Sequence, residues 1–169
     1  MRHLMTASVC VLVAATCVSL VPHAQAEPKL AVTGGSAVAT GEYLVAIGGC
    51  NDCHTAGWTR APGTMPPTQR LTGVPIGWHG PWGTSYATNL RLLMQRLSLE
   101  QWLSYIATMQ PKPPMPWFNL RSMSEADLKA IYAYIHGLGP AGLATPADLP
   151  PGQMPPTPYV ETQPVMPKP

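Results

Sequence analysis

Two thiols and an imidazole stand within five residues of one another, in Cys50-Asn51-Asp52-Cys53-His54. Cysteines separated by two residues can add across the two vinyl groups of one porphyrin. The histidine beside the second cysteine is then held under the iron, where a ring nitrogen can bind it. Covalent attachment retains the group without a large enclosing pocket, which suits a short chain. Two other chemistries use similar spacings. A structural zinc site takes four ligands, usually several of them thiolates. Cys50, Cys53, His54, His79 and His136 could make only a mixed set, with no second close pair. A thioredoxin-like redox pair sits beside a strand–helix pattern, and none is legible here. The motif therefore implies one covalently bound haem c.

An iron held by His54 has a sixth position to fill. The candidates are the methionines, His79 and His136. Met115 lies in Pro113-Pro114-Met115-Pro116-Trp117, where prolines fix the backbone and present a thioether from a stiff loop at small entropic cost. Met94, Met109 and Met123 fall on or beside helical segments, where methionine usually fills core space. His136 falls at the end of a helical pattern and reads as a surface residue. His79, in Gly77-Trp78-His79-Gly80, is the rival to Met115.

The elements that must carry these residues read as helices joined by long loops. A first helix is expected from about Gly41 to Gly49, capped by Thr40, with Tyr43, Leu44 and Ile47 on one face. Residues 55–89 are rich in Gly, Pro, Thr and Trp without a clean period. They read as a long ordered loop wrapped around something, since an empty loop of that length is improbable in a compact domain. Ser98-x-x-Gln101 is a capping box opening a second helix, with Leu99, Trp102, Leu103 and Ile106 as its stripe. Ser124 opens a third, with Leu128, Ile131, Tyr132 and Ile135 at helical spacing, stopped by Gly137, Gly139 and Pro140. No strand-like alternation of useful length and no internal repeat is present. The expected class is all-α, a small domain over residues 40–139. Beyond Gly139 prolines recur without aliphatic periodicity, so 140–169 reads as an extended, polyproline-like or poorly ordered tail.

The other end reads as an address. Arg2 makes a short basic start, an apolar stretch follows to about Val21, and Ala24-Gln25-Ala26 is a small-x-small cleavage site. Residues 1–26 are therefore expected to be a secretory signal, with cleavage after Ala26 and an exported or periplasmic product. A retained membrane anchor is the competing reading, but the run sits near the ~18-residue lower limit for a spanning helix and is broken by polar residues. Cleavage would remove Cys10 and Cys17, leaving one cysteine pair, unlike the several pairs of a disulfide-stapled secreted protein. Residues 27 to about 39 are small and polar and read as a loose leader. The formal net charge of +2 and the lack of any basic run point away from nucleic acid.

Two separate stretches carry a family resemblance. Gly41-Glu42-Tyr43-Leu44 with Cys50 to His54 resembles the opening of class I bacterial cytochromes c. Pro114-Met115-Pro116-Trp117 and the run from Met123 to Ile135 resemble their closing part, so the likeness covers about Thr40 to Gly139. It implies a small helical domain whose first and last helices cross near the haem edge, with His54 and Met115 as axial ligands. Trp82 to Leu90 is similar to the family segment that passes the propionates. The chain then reads Leu90-Arg91-Leu92-Leu93-Met94 where relatives carry a polar turn. Trp82, Tyr86 and Arg91 are the candidate propionate donors.

The function implied is single-electron transfer with protein donors and acceptors, with no small-molecule substrate and no catalysis by the chain itself. Related single-haem chains also serve as electron-transfer subunits of membrane-associated dehydrogenases and oxidases, and a proline tail suits either a free carrier or a subunit. Two other classes compete. Haem peroxidases of this kind resemble two-haem proteins, and one attachment motif is present here. Gas-binding cytochromes of the c′ type resemble four-helix bundles with the motif near the C-terminus, whereas here it lies near the start. A closed His/Met iron leaves no room for substrate.

Overall fold

The computed structural model describes residues 35–61, 64–164 and 166–167. The leader at 1–26, its cleavage site and most of the 27–39 stretch lie outside the described residues.

The first helix begins earlier than its apolar spacing suggests. α1 spans Ala37–Ile47 and is capped by Ser36, whose hydroxyl accepts the Ala39 N–H at 3.2 Å. Thr40, the expected cap, lies inside it. The buried face also differs. Gly41, Leu44 and Val45 turn inward, while Tyr43 and Ile47 are 52% and 60% exposed. The cause is a close crossing with the last helix, α6 (Glu125–Gly137). A Cβ at Gly41 would lie 2.0 Å from the Ala130 carbonyl oxygen and 2.8 Å from Tyr134 Cβ. The face presented to α6 is thus set by the residue without a side chain. The crossing of first and last helices was the expected feature, and it is the most extensive helix–helix contact of the fold.

α1 stops at Gly48 and Gly49. Gly49 has φ +65°, a left-handed step that releases the chain into α2 (Cys50–His54). α4 (Leu99–Thr108) carries the expected capping box: Ser98 Oγ accepts the Gln101 N–H at 3.2 Å, and Gln101 Oε1 accepts the Ser98 N–H at 2.8 Å. Its buried residues, Trp102 and Ile106, pack toward α6, and the Trp102 indole N–H donates to the Leu128 carbonyl at 3.0 Å. Along α6, Leu128, Ile131 and Ile135 are buried as the spacing required, and the Tyr132 hydroxyl donates to Leu97 O at 2.8 Å.

Besides α2, two further short helices among the described residues were not anticipated. α3 (Leu90–Arg96) is capped by Asn89, whose Oδ1 accepts the Leu92 N–H. α5 (Trp117–Ser122) follows Pro116 directly. The departure at Leu90-Arg91-Leu92-Leu93-Met94 is therefore a helix, with Met94 fully buried in the core.

The all-α expectation is corrected by a three-stranded sheet, ordered β2-β1-β3. The stretch 55–89 is ordered, as expected, but holds an antiparallel hairpin of β1 (Val74–Gly80) and β2 (Gly83–Ala87). Alternation could not announce it. All five β2 residues are buried, polar Thr84 and Ser85 included, so no exposed face marks the alternation, and β1 carries Pro75 within a bulge between Val74 and Gly77. The third strand comes from the tail: β3 (Tyr159–Glu161) lies parallel to β1, pairing with Gly77, Trp78 and His79. The described part of the tail is built into the fold. Leu149 and Thr84 exchange backbone hydrogen bonds, Asp148 Oδ1 accepts the Tyr86 N–H at 3.0 Å, and Thr162 Oγ1 donates to His79 O at 2.6 Å.

Candidate functional site

α2 is one short helical run, so Cys50 and Cys53, three residues apart, share a side. Their sulfurs are not joined to one another. Burial, chiefly, pushes the Cys50 thiol up to about 11, with Asp52 and Cys53 adding in the same direction against a backbone hydrogen bond. Burial and then Asp52 raise Cys53 as well. Both sulfurs therefore keep their protons at neutral pH.

His54 is buried, and its Nδ1 lies 2.7 Å from the Thr88 carbonyl oxygen. A carbonyl can only accept, so Nδ1 carries the hydrogen and Nε2 keeps its lone pair. Burial holds the ring below its ordinary pKa, and the Thr88 hydrogen bond works against that shift. A neutral imidazole with Nδ1–H tied to a backbone carbonyl is the form in which histidine binds metal. Thr88 sits at the exit of β2, so the hairpin aims the ring.

The turn after the motif is pinned to the same region. The His54 carbonyl accepts the Gly73 N–H at 2.8 Å. Thr55 Oγ1 donates to Asn51 Oδ1 at 2.8 Å and accepts the Leu71 N–H at 2.8 Å. Beside Cys53 a cleft of about 310 Å³ has Trp58, Val74, Ile76, Trp78 and Val160 on its apolar part, with Asp52, Thr55, Thr59 and Arg60 also lining it. An apolar wall next to an attachment thiol suits the face of a porphyrin.

Met115 is half-buried in the loop between α4 and α5. The peptide bond Pro113–Pro114 is cis. The loop is tied at several points. Ser85 Oγ donates to Pro113 O, Lys112 Nζ donates to Leu149 O at 2.6 Å, and the Met115 carbonyl accepts the Trp117 N–H at 2.9 Å. Arg121 donates to Met109 O at 2.6 Å and lies over the Trp117 ring at 4.3 Å. His79 is built into the sheet: its Nδ1 pairs with Thr84 Oγ1 at 2.8 Å, and its ring meets Tyr159 edge-on at 5.5 Å. His136 is exposed and stacks on Tyr132. Met94, Met109 and Met123 pack in or against the core, as their positions suggested. Among the described residues no group of three or more His, Cys, Asp and Glu side chains gathers as a metal site, and the mixed zinc reading gains no support.

Of the three candidate propionate donors, two are occupied. Arg91 is only 4% exposed. It donates through Nε to Gly139 O at 2.6 Å, through Nη1 to Pro67 O and Thr68 O at 3.2 Å each, and through Nη2 to Leu138 O. The Tyr86 hydroxyl pairs with Thr157 Oγ1 at 2.8 Å. The Trp82 indole N–H is the one buried side-chain nitrogen or oxygen among the described residues left without a hydrogen-bond partner. A buried donor in that state fits an acceptor such as a carboxylate oxygen. Thr88 was missed in the sequence, because it acts through its backbone carbonyl and any residue there would supply one.

Two free thiols on one side of α2, an oriented imidazole and a largely apolar cleft beside Cys53 fit a haem-attachment site. The family model for Cytochrome c matches residues 38–139, and the chain belongs to that family. No curated protein and no solved structure matches it. Membership carries a covalent haem c, haem-based electron transfer and redox partners, and Cys50, Cys53 and His54 fit the family's attachment motif. The tail beyond Gly139 lies outside the match.

Proposed function

We propose that this chain is an exported electron carrier whose iron is held by His54 on one side and Met115 on the other. The observation that carries the reading is the His54 ring, buried and neutral, with Nδ1 bound to Thr88 O and Nε2 left for a metal. The haem supplies a one-electron couple when bound. Cys50 and Cys53 would hold it as thioethers, each S–H adding across one of its vinyl groups with no change of oxidation state, and His54, held by Thr88 O, would offer its Nε2 to the iron. A thioether from the Met115 loop would close the other side, favour the ferrous state and exclude substrate. The reading is supported by the restraint on that loop, held by Ser85 and Lys112. Export rests on the pattern of residues 1–26, and among the described residues no helix is long and apolar enough to cross a membrane. The donor and acceptor are proteins, either as free partners or within an envelope dehydrogenase or oxidase complex.

The test is Met115→Ala in the haem-loaded protein. Haem stays attached, the ferric iron turns high-spin or takes water, the weak sulfur-to-iron band at the red edge disappears, and the potential falls. Met123→Ala leaves spectrum and potential in place and, since the side chain is only partly buried against the core, costs less than the about 2–5 kcal/mol of a fully buried methionine. His79→Ala is spectroscopically silent. An unchanged low-spin spectrum in Met115→Ala beside a changed one in His79→Ala assigns the sixth position to His79 instead.

A further inference from the structure

The loop that bears Met115 is fastened to a part of the chain that the family match does not include. The Leu149 carbonyl accepts two donors, the Thr84 N–H at 3.1 Å and Lys112 Nζ at 2.6 Å, while the Leu149 N–H donates to Thr84 O at 2.9 Å. The next residue of β2, Ser85, donates its hydroxyl to Pro113 O. Adjacent residues of the loop, Lys112 and Pro113, are thus gripped by the tail and by the strand the tail is bound to. The tail passes so close that a Cβ at Gly83 would lie 2.1 Å from Leu149 O and 2.5 Å from the Pro150 carbonyl carbon, and Gly83 has φ +93°. Further along, Asp148, Thr157, β3 and Thr162 fasten the tail to β2 and β1.

We propose that residues 148–162 form a clasp that positions the Met115 loop, with Lys112 as the positioning residue that couples clasp to loop. The proposal rests on Met115 as the sixth ligand. A loop with a free Lys112 would spend more time with its thioether away from the iron. The frequency of such openings sets how fast an external ligand is captured.

The experiment uses the full-length haem-loaded protein in the ferric state. Cyanide capture and the red-edge band are followed in Lys112→Met, Lys112→Arg, Ser85→Ala, Gly83→Ala and Tyr132→Phe. Lys112→Met removes one charge-assisted hydrogen bond and speeds cyanide capture about tenfold with a weaker band. Lys112→Arg retains a donor and most of the native rate. Ser85→Ala acts in the same direction as Lys112→Met. Gly83→Ala, which pushes the tail off β2, also accelerates capture, and adding Lys112→Met to it gives less than the product of the two effects. Should Gly83→Ala not fold, Lys112→Met and its arginine rescue decide alone. Tyr132→Phe loses a hydrogen bond remote from the loop and leaves capture unchanged. An equal acceleration there reduces the effect to general loosening and overturns the clasp. So does a native rate in Lys112→Met while Met115→Ala abolishes the band. If Met115→Ala keeps the band, the ligand assignment fails, and the clasp falls with it for that separate reason.

Discussion

Arg91 is a charged residue placed where charge is expensive, and its surroundings show why it is tolerated. Four backbone carbonyls surround the guanidinium, and two of them, Leu138 and Gly139, close the C-terminal end of α6, where the helix dipole favours a cation. Gln95 adds a bond to His136 O at the same end. Replacing Arg91 by leucine strands these carbonyls. Pro67 and Thr68 are exposed and their carbonyls can turn to water, so the cost falls on the half-buried Leu138 and Gly139 carbonyls. At roughly 1–3 kcal/mol per buried unsatisfied group, the loss should be about 2 kcal/mol in urea unfolding of the haem-loaded protein. Lysine, with one point charge in place of a planar fork, should recover only part. A loss below about 1 kcal/mol for leucine would mean that water takes over these carbonyls. Sequence reading found the covalent anchor and His54 because their chemistry requires those side chains at that spacing. It did not find Arg91 or Thr88. The partners of both are backbone atoms, brought close only by the fold.

The helices show the same division at the next scale. α4 and α6 were legible to within a residue or two because each has a serine cap and a clear apolar stripe. α1 was misplaced at its start and on its face, because its packing is governed by Gly41 and its apolar residues Tyr43 and Ile47 remain exposed. The hairpin was invisible, since β2 is covered on both faces and β1 has its period broken by Pro75 and a bulge. The crossing at Gly41 gives a prediction whose sign is informative. In an open helix Gly→Ala adds up to about 1 kcal/mol of stability. Here the new methyl meets backbone rather than a yielding side chain, so Gly41→Ala should instead cost about 2–4 kcal/mol. Gly137→Ala, near the end of α6 with nothing within 4 Å of the added carbon, serves as the control and should be neutral or slightly stabilising. Urea midpoints of the two variants decide it, and a neutral Gly41→Ala would show that α1 can move off α6 freely.

Across the whole molecule, the protein core is thin for the length of chain it organises. The largest fully buried apolar side chains are Leu71, Met94, Ile106, Ile135 and Val45, and a good part of the buried remainder is polar, including Asn51, Thr55, Thr84 and Asn89. Those polar groups tie loop to loop and tail to hairpin. They fix the arrangement but add little driving force, because each exchanges bonds with water for bonds with protein. A covalently held porphyrin against the cleft beside Cys53 would supply the missing apolar surface, and it acts on the folded state alone. Cys50→Ala with Cys53→Ala should therefore yield a chain without covalent haem that is largely unfolded, with weak helical circular dichroism and no cooperative thermal transition. Cys53→Ala alone, still held through Cys50, should keep haem and melt at an intermediate temperature. A sharp melt in the double variant would mean that the protein contacts suffice to fold the chain. The haem would then be a passenger on a finished fold and not part of its core.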